Sequence, residues 1–264
     1  MYTIHPFRTA AMPDVCKGQI FTYLVDNDVT MTIPVMAYLV LSEADDTVIM
    51  VDTGVDPDNY EEDRGIVDGT KQQHREALAE HDLTPADVDY VLMTHLHNDH
   101  VGHMDLFTES EFLVQRSELA ACRDPLDHQA FAYSDSTLET LEDLDVTLID
   151  GGYRLREGIE LLHTPGHTQG MQTVVVETAA GPHGLVSDMA YCRHNLEPGL
   201  DTIQNADGEP VAVTPSDDEY LLPGLHVNTE DCYRSYERVA ERLGEDGVWL
   251  GGHDASVLGS SFPQ

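Results

Sequence analysis

Short apolar runs rich in β-branched and aromatic residues recur at 20–25, 36–41, 47–51, 90–93, 112–115, 146–149, 159–162, 172–176 and 248–250, and each reads as a strand. Helical periodicity comes between and after them. It is clearest over 230–243, where Tyr233, Tyr236, Val239, Ala240 and Leu243 share one face, with Thr229 placed to cap the start and Gly244 to end it. A weaker helix is predicted over 72–81. Strands that lead into loops and then helices, in both halves of the chain, predict two packed sheets covered by helices on the outside. No fixed-period repeat, low-complexity tract or Pro/Ser-rich linker interrupts 1–264, so a single domain is expected. The segments 123–145 and 193–228 follow neither period. Long irregular stretches in a compact domain are usually functional loops, and these two are expected to wall a pocket.

The charge is extreme: 49 acidic residues against 13 basic ones, a formal net charge of −36, with Lys17 and Lys71 the only lysines. Such a surface argues against nucleic acid as a partner. A folded chain of this length has a radius of gyration of about 18 Å, so its charges repel strongly in dilute buffer, while at molar salt the screening length falls to about 3 Å. A salt-filled cytoplasm of a salt-loving organism is the expected setting. No stretch approaches the roughly 18 consecutive apolar residues of a membrane span, and the chain start lacks the basic and apolar pattern of an export signal. Cys16, Cys122, Cys192 and Cys232 are scattered without a Cys-x-x-Cys pair, and read as small buried hydrophobes rather than a zinc ribbon or a disulfide framework.

His95, His97, His100 and His103 crowd into a few residues directly after the strand predicted at 90–93. Two residues apart, His95 and His97 point the same way only on an extended segment, so they lie on a loop leaving the strand. Asp99 and His100 follow on the turn and can face a second ion. Imidazole and carboxylate without thiolate suit zinc, and also iron, manganese or cobalt. Nothing in the spacing gives His103 a ligand role, and it reads as a supporting or surface residue.

The pattern His95-x-His97-x-Asp99-His100 resembles the signature of the metallo-β-lactamase superfamily, and further motifs occur in that family's order. Asp52-Thr53-Gly54 is similar to the motif whose aspartate supports a metal-bound histidine; Thr164-Pro165-Gly166-His167 to the one that brings a third histidine; Ser187-Asp188 to the bridging aspartate; Gly252-His253 to the last ligand. The resemblance implies an α/β fold, a four-layer αββα sandwich, with two divalent metal ions, zinc by default. The first would take His95, His97 and His167, the second Asp99, His100 and His253, with Asp188 shared. Four positive charges less those of Asp99, Asp188 and a bridging hydroxide leave one to hold a developing oxyanion, which suits hydrolysis.

Asp188 stands where the true β-lactamases of the superfamily carry cysteine, and the residues after His253 are too few for the helical domain of glyoxalase II enzymes. The acidic charge disfavours the nucleases, and His97 replaces the glutamate of the diiron flavoproteins. The N-acyl-homoserine lactonases and related lactonases remain, because Asp188-Met189-Ala190-Tyr191 resembles their Asp-x-x-Tyr. That likeness implies ring opening of a small lactone by the bridging hydroxide, with Tyr191 reaching the substrate carbonyl; either Asp99 or a bound water is expected to protonate the leaving ring oxygen. The stretch from Cys122 to Asp135 also resembles the lactonase insert that partly covers the pocket, which implies that His128, Phe131 and Tyr133 line it. A hydrolase of another ester, thioester or amide, or a non-catalytic metal-binding protein, is the alternative. Tyr220, Leu221 and Leu222 are expected to form either a patch for a homodimer or a pocket wall.

Overall fold

In a computed structural model, which describes residues 1–22, 30–60 and 65–263, the apolar runs pair into two main sheets. The first half of the chain runs β1 (Tyr2–Cys16), α1 (Lys17–Ile20), β2 (Thr30–Ser42), β3 (Val48–Val51), β4 (Val67–Asp68), α2 (Lys71–Ala79), β5 (Tyr90–Leu92), β6 (Glu111–Gln115), α3 (Arg116–Arg123), α4 (Asp135–Glu142) and β7 (Asp145–Ile149). The second runs β8 (Tyr153–Arg156), β9 (Ile159–His163), β10 (Gln172–Thr178), β11 (Gly181–Ser187), α5 (Arg193–Leu196), β12 (Thr202–Gln204), β13 (Pro210–Ala212), α6 (Thr229–Leu243) and β14 (Val248–Gly251). The larger sheet has the order β4-β1-β2-β3-β5-β6-β7 and the smaller β14-β11-β10-β9-β8.

Alternation along the strands explains the layering. Tyr38, Val40, Ile49, Val51 and Leu92 of the larger sheet meet Leu161, Val174, Val176, Leu185 and Leu250 of the smaller in one core between the sheets. The opposite face of the larger sheet, through Leu39, Met50, Val91 and Phe112, packs on Leu78 of α2, Leu119 of α3 and Leu141 of α4. The outer face of the smaller sheet packs Val175 and Val186 against Tyr236, Val239 and Leu243 of α6. The result is the expected αββα sandwich.

The differences from expectation have local causes. The strand expected at 20–25 is absent where it can be seen: Ile20 ends the short helix α1, and 23–25 lie outside the described residues. The long β1 escapes sequence reading because Pro6, Pro13 and two register shifts against β2 break its alternation, which an outer strand tolerates. The cap of α6 is Asn228, whose side chain accepts from the Glu230 and Asp231 amides, so Thr229 is the first helical residue. Its buried stripe runs through Cys232, Tyr236, Val239 and Leu243, while Tyr233 is exposed. Segment 123–145 carries α4, and 193–228 carries α5 and the β12–β13 hairpin, so neither is wholly irregular. Leu221 and Leu222 are buried in the core, and Tyr220 stacks on Tyr236 with ring centroids 4.6 Å apart; the leucines are therefore not an exposed dimer patch. Among the described residues no helix is long and apolar enough to cross a membrane.

Candidate metal centre

The candidate ligand residues sit on loops at one end of the two sheets. Residues 93–100 leave β5, and this loop is tied to the smaller sheet by Gln172, whose amide donates to the Thr94 carbonyl at 2.9 Å and whose side chain donates to the Met93 carbonyl at 2.7 Å. His167 follows β9, Asp188 follows β11 and His253 follows β14. Asp52 and Ser187, at the ends of β3 and β11, both adopt left-handed backbone, with φ of 60° and 47°. Such conformations cost on the order of 1 kcal/mol each in non-glycine residues and cluster at functional sites.

These loops bring together two groups: His95, His97 and His167, and Asp99, His100, Asp188 and His253, the candidate donor atoms of each lying within 4.8 Å of one another. Asp188 divides its oxygens between them. Oδ2 is 3.5 Å from His167 Nε2 and 4.0 Å from His95 Nε2, while Oδ1 is 3.1 Å from His253 Nε2 and 3.3 Å from His100 Nε2. Asp99 completes the second group, 3.8 Å from His100 Nε2 and 3.6 Å from His253 Nε2. His167 Nε2 and His97 Nδ1 stand 3.0 Å apart.

A cation fits these atoms. Nitrogen or oxygen donors at about 2.1 Å around a tetrahedral ion lie about 3.4 Å from each other, close to the separations just given. The inward nitrogens of His95, His100 and His253 are buried without a hydrogen-bond partner among the described residues, a costly arrangement unless a cation takes their lone pairs. Their outward nitrogens are held in the matching tautomer. His100 Nδ1 donates to Asp52 Oδ2 at 2.8 Å, His167 Nδ1 to the Leu225 carbonyl at 2.6 Å and His253 Nδ1 to the Pro34 carbonyl at 2.7 Å. The Thr94 hydroxyl donates to Asp52 Oδ2 at 2.8 Å and lies 3.1 Å from His95 Nδ1, placed to accept from it.

Electrostatics separate the two groups. Burial, and then the neighbouring imidazoles, push His95 and His97 well below the ordinary histidine range. At His100 and His253 burial acts in the same direction, but Asp188 and Asp99 outweigh it and hold both above that range. Burial likewise opposes ionisation of Asp188, yet His253 and His100 keep its carboxyl well below the usual range. The second group is thus a buried anionic cluster that draws positive charge.

The centre forms the floor of a cavity of about 600 Å³ lined by His97, Asp99, Asp188 and Tyr191 on one side and by Met12, Val15, Ile33, Phe131 and Leu225 among others. The Tyr191 ring stacks on His253, with centroids 5.0 Å apart. Phe131 lines the cavity, whereas His128 is exposed and is not among the lining residues. Tyr133 is a step behind the wall, its ring edge-on to His97 at 4.7 Å and its hydroxyl donating to Glu118 at 3.0 Å. His103 is buried, with Nε2 3.2 Å from the Gly69 carbonyl. Thr94 and Glu118 escaped sequence reading: a threonine beside a histidine and a glutamate in a helix's first turn carry no signal of their own. The carbonyls of Pro34 and Leu225 carry none in principle.

A two-sheet sandwich with paired histidine and aspartate clusters at its loop end defines a class of metal-dependent hydrolases, and the chain belongs to it: residues 32–190 match the metallo-beta-lactamase superfamily. Within that superfamily it is 32% identical over 182 residues to an N-acyl homoserine lactonase from a Bacillus species, covering 63% of this chain and 68% of that protein. The fold is similar to that of an N-acyl homoserine lactone hydrolase solved with the product N-hexanoyl-L-homoserine at its catalytic metal centre, with a TM-score of 0.73 at 24% identity over 96% of this chain and 94% of the other. It is also similar to AidC, a dizinc quorum-quenching lactonase, with a TM-score of 0.63 at 14% identity over 96% of this chain and 87% of that one.

Proposed function

We propose that the protein is a two-metal lactonase that opens an N-acyl-homoserine lactone or a similar small lactone. One observation carries this reading: the two oxygens of Asp188 face two separate donor groups at the floor of a cavity large enough for a small acylated ring. His95, His97 and His167 would hold one divalent cation and Asp99, His100 and His253 the other, with Asp188 shared and Asp52 orienting His100. Zinc suits the all-imidazole and carboxylate donor set, with iron, manganese or cobalt as alternatives. Such a pair supplies a hydroxide near neutral pH and a Lewis acid for the carbonyl.

The chain's own residues do the rest. Burial, followed by Asp188 and Asp99, pushes the Tyr191 phenol well above its ordinary range, so Tyr191 keeps its proton at neutral pH and can donate it in a hydrogen bond to the carbonyl oxygen as charge develops there. Asp99, at the cavity wall and partly exposed, is placed to take up the proton carried in by the attacking hydroxide and pass it to the departing ring oxygen, ending ionised as it began. Met12, Val15, Ile33 and Phe131 offer an acyl tail an apolar wall. We read 1–264 as one domain, with 123–145 and 193–228 contributing Phe131 and Leu225 to the cavity, and the charge of −36 as an adaptation to a salt-filled cytoplasm.

A panel of lactones with different tails, run against aryl esters and thioesters in molar KCl with defined metals, tests the assignment. Lactones should be turned over fastest. A preference for esters or thioesters would move the substrate class, and a pure, active chain holding no metal would refute the site.

A further inference from the structure

Glu118, in the first turn of α3, is 1% exposed and belongs to neither donor group. Its carboxylate nevertheless gathers donors from three segments. Oε1 accepts from the Leu96 amide, between His95 and His97, at 3.0 Å and from the Tyr133 hydroxyl at 3.0 Å. Oε2 accepts from the Thr168 hydroxyl at 2.6 Å and the Gly170 amide at 3.0 Å, just after His167. The contact requires a glycine, because a Cβ at position 170 would lie 2.1 Å from the Glu118 amide nitrogen. A carboxylate taken out of water at this depth is sustained only by such bonds, and here all four donors belong to the surroundings of the three-histidine group.

His97 explains why that group needs such a fastening. His95, His100, His167 and His253 each have Nδ1 beside an oxygen that fixes the ring, whereas His97 turns Nδ1 toward His167 and leaves Nε2 buried without a hydrogen-bond partner among the described residues. What orients His97 is its backbone and the Tyr133 ring against it, and Glu118 holds both.

We infer that Glu118 is the positioning residue of the three-histidine group: it fixes the loop of His95 and His97 against the loop of His167, so that the cation affinity of this group, and not that of Asp99, His100, Asp188 and His253, depends on it. The inference rests on the two-cation reading above. Glu118→Gln keeps the volume but turns an NH₂ toward one pair of donors, so that at least one loop amide faces another N–H group.

The test is titration of the metal-stripped full chain with cobalt(II) in molar KCl, read by visible absorption, by hyperfine-shifted histidine N–H signals and by competition with a chelator. The natural chain should take up two ions. In Glu118→Gln one ion should bind within about twofold of the natural affinity, with the His100 and His253 signals retained, and the other about 10–100-fold more weakly. Tyr133→Phe, which deletes one donor without a clash, should weaken the same ion by a smaller factor, and keeps the test alive if Glu118→Gln does not fold. Unchanged affinity at both positions, or equal weakening of both, overturns the inference. Absence of cobalt binding in the natural chain sinks the two-cation reading and this inference together, whereas two ions in the natural chain with unaltered variants sinks this inference alone.

Discussion

Asp52→Asn turns on the placement of a single proton. Asp52 Oδ1 accepts from the Thr94 amide at 2.8 Å, and Oδ2 accepts from the Thr94 hydroxyl and from His100 Nδ1, both at 2.8 Å, with the side chain buried. Asparagine keeps the size, tolerates the left-handed backbone at φ 60°, and preserves the bond from the Thr94 amide. Its NH₂, however, takes the place of Oδ2. His100 can face a donor there only by making Nδ1 an acceptor, which moves its proton to Nε2, the atom 3.3 Å from Asp188 Oδ1 and the one a cation needs bare. The expected result is a cation affinity at the second group about 10–100-fold lower, which removes up to about 2.7 kcal/mol of metal-linked stability at saturating metal. Asp52→Ala is the harsher control: it orphans the Thr94 amide and His100 Nδ1 together, costing about 2–6 kcal/mol even without metal. Urea denaturation in molar KCl, with metal stripped or in excess, separates the two effects. Natural metal affinity in Asp52→Asn would refute the tautomer argument.

Tyr191→Phe should lower kcat on a lactone about 100-fold while metal content stays unchanged, the cost of one lost donor to a developing oxyanion; unaltered kinetics would make Tyr191 a packing residue. Gly252→Ala places a Cβ 2.5 Å from Asp188 Oδ1, and should displace the shared carboxylate and strip metal from both groups, read by metal analysis after dialysis. His74 is fully buried, and burial pushes it down to about 3 from an ordinary 6.5. The unfolded chain therefore binds the extra proton first, so this histidine costs nothing well above pH 6.5 and progressively more as pH falls toward 3. It should account for about 2 kcal/mol of the stability lost between pH 7 and pH 5, and His74→Phe should abolish that share in a pH series of denaturation curves. Finally, with a net charge of −36, the chain should gain stability steeply between dilute buffer and molar KCl, and equal stability in both would remove the case for a salt-filled cell.

Which parts of this structure were legible follows from where the information sits. The strands β2, β3, β5, β6, β9 and β10 were read from the sequence because burial imposes runs of branched residues on them, and the edge strands β7 and β14 from short apolar runs; β1 was not, since a strand with one lightly paired side accepts Pro6, Pro13 and two register shifts. The same division runs through the site. The candidate ligands need a side-chain lone pair for a cation, which few residue types offer, and so they show in the sequence at His95, His97, Asp99, His100, His167, Asp188 and His253. What orients them is under no such chemical constraint. Asp52, which lies in a readable motif, is one of several solutions: His167 and His253 use the carbonyls of Leu225 and Pro34, which any residue supplies, and His97 is held at second hand through Glu118. An orienting group needs only an oxygen at the right point, and the fold rather than residue type decides where that point is. The candidate ligand set is therefore readable from one chain, while the restraints that orient it become visible only when both sheets have brought their loops together.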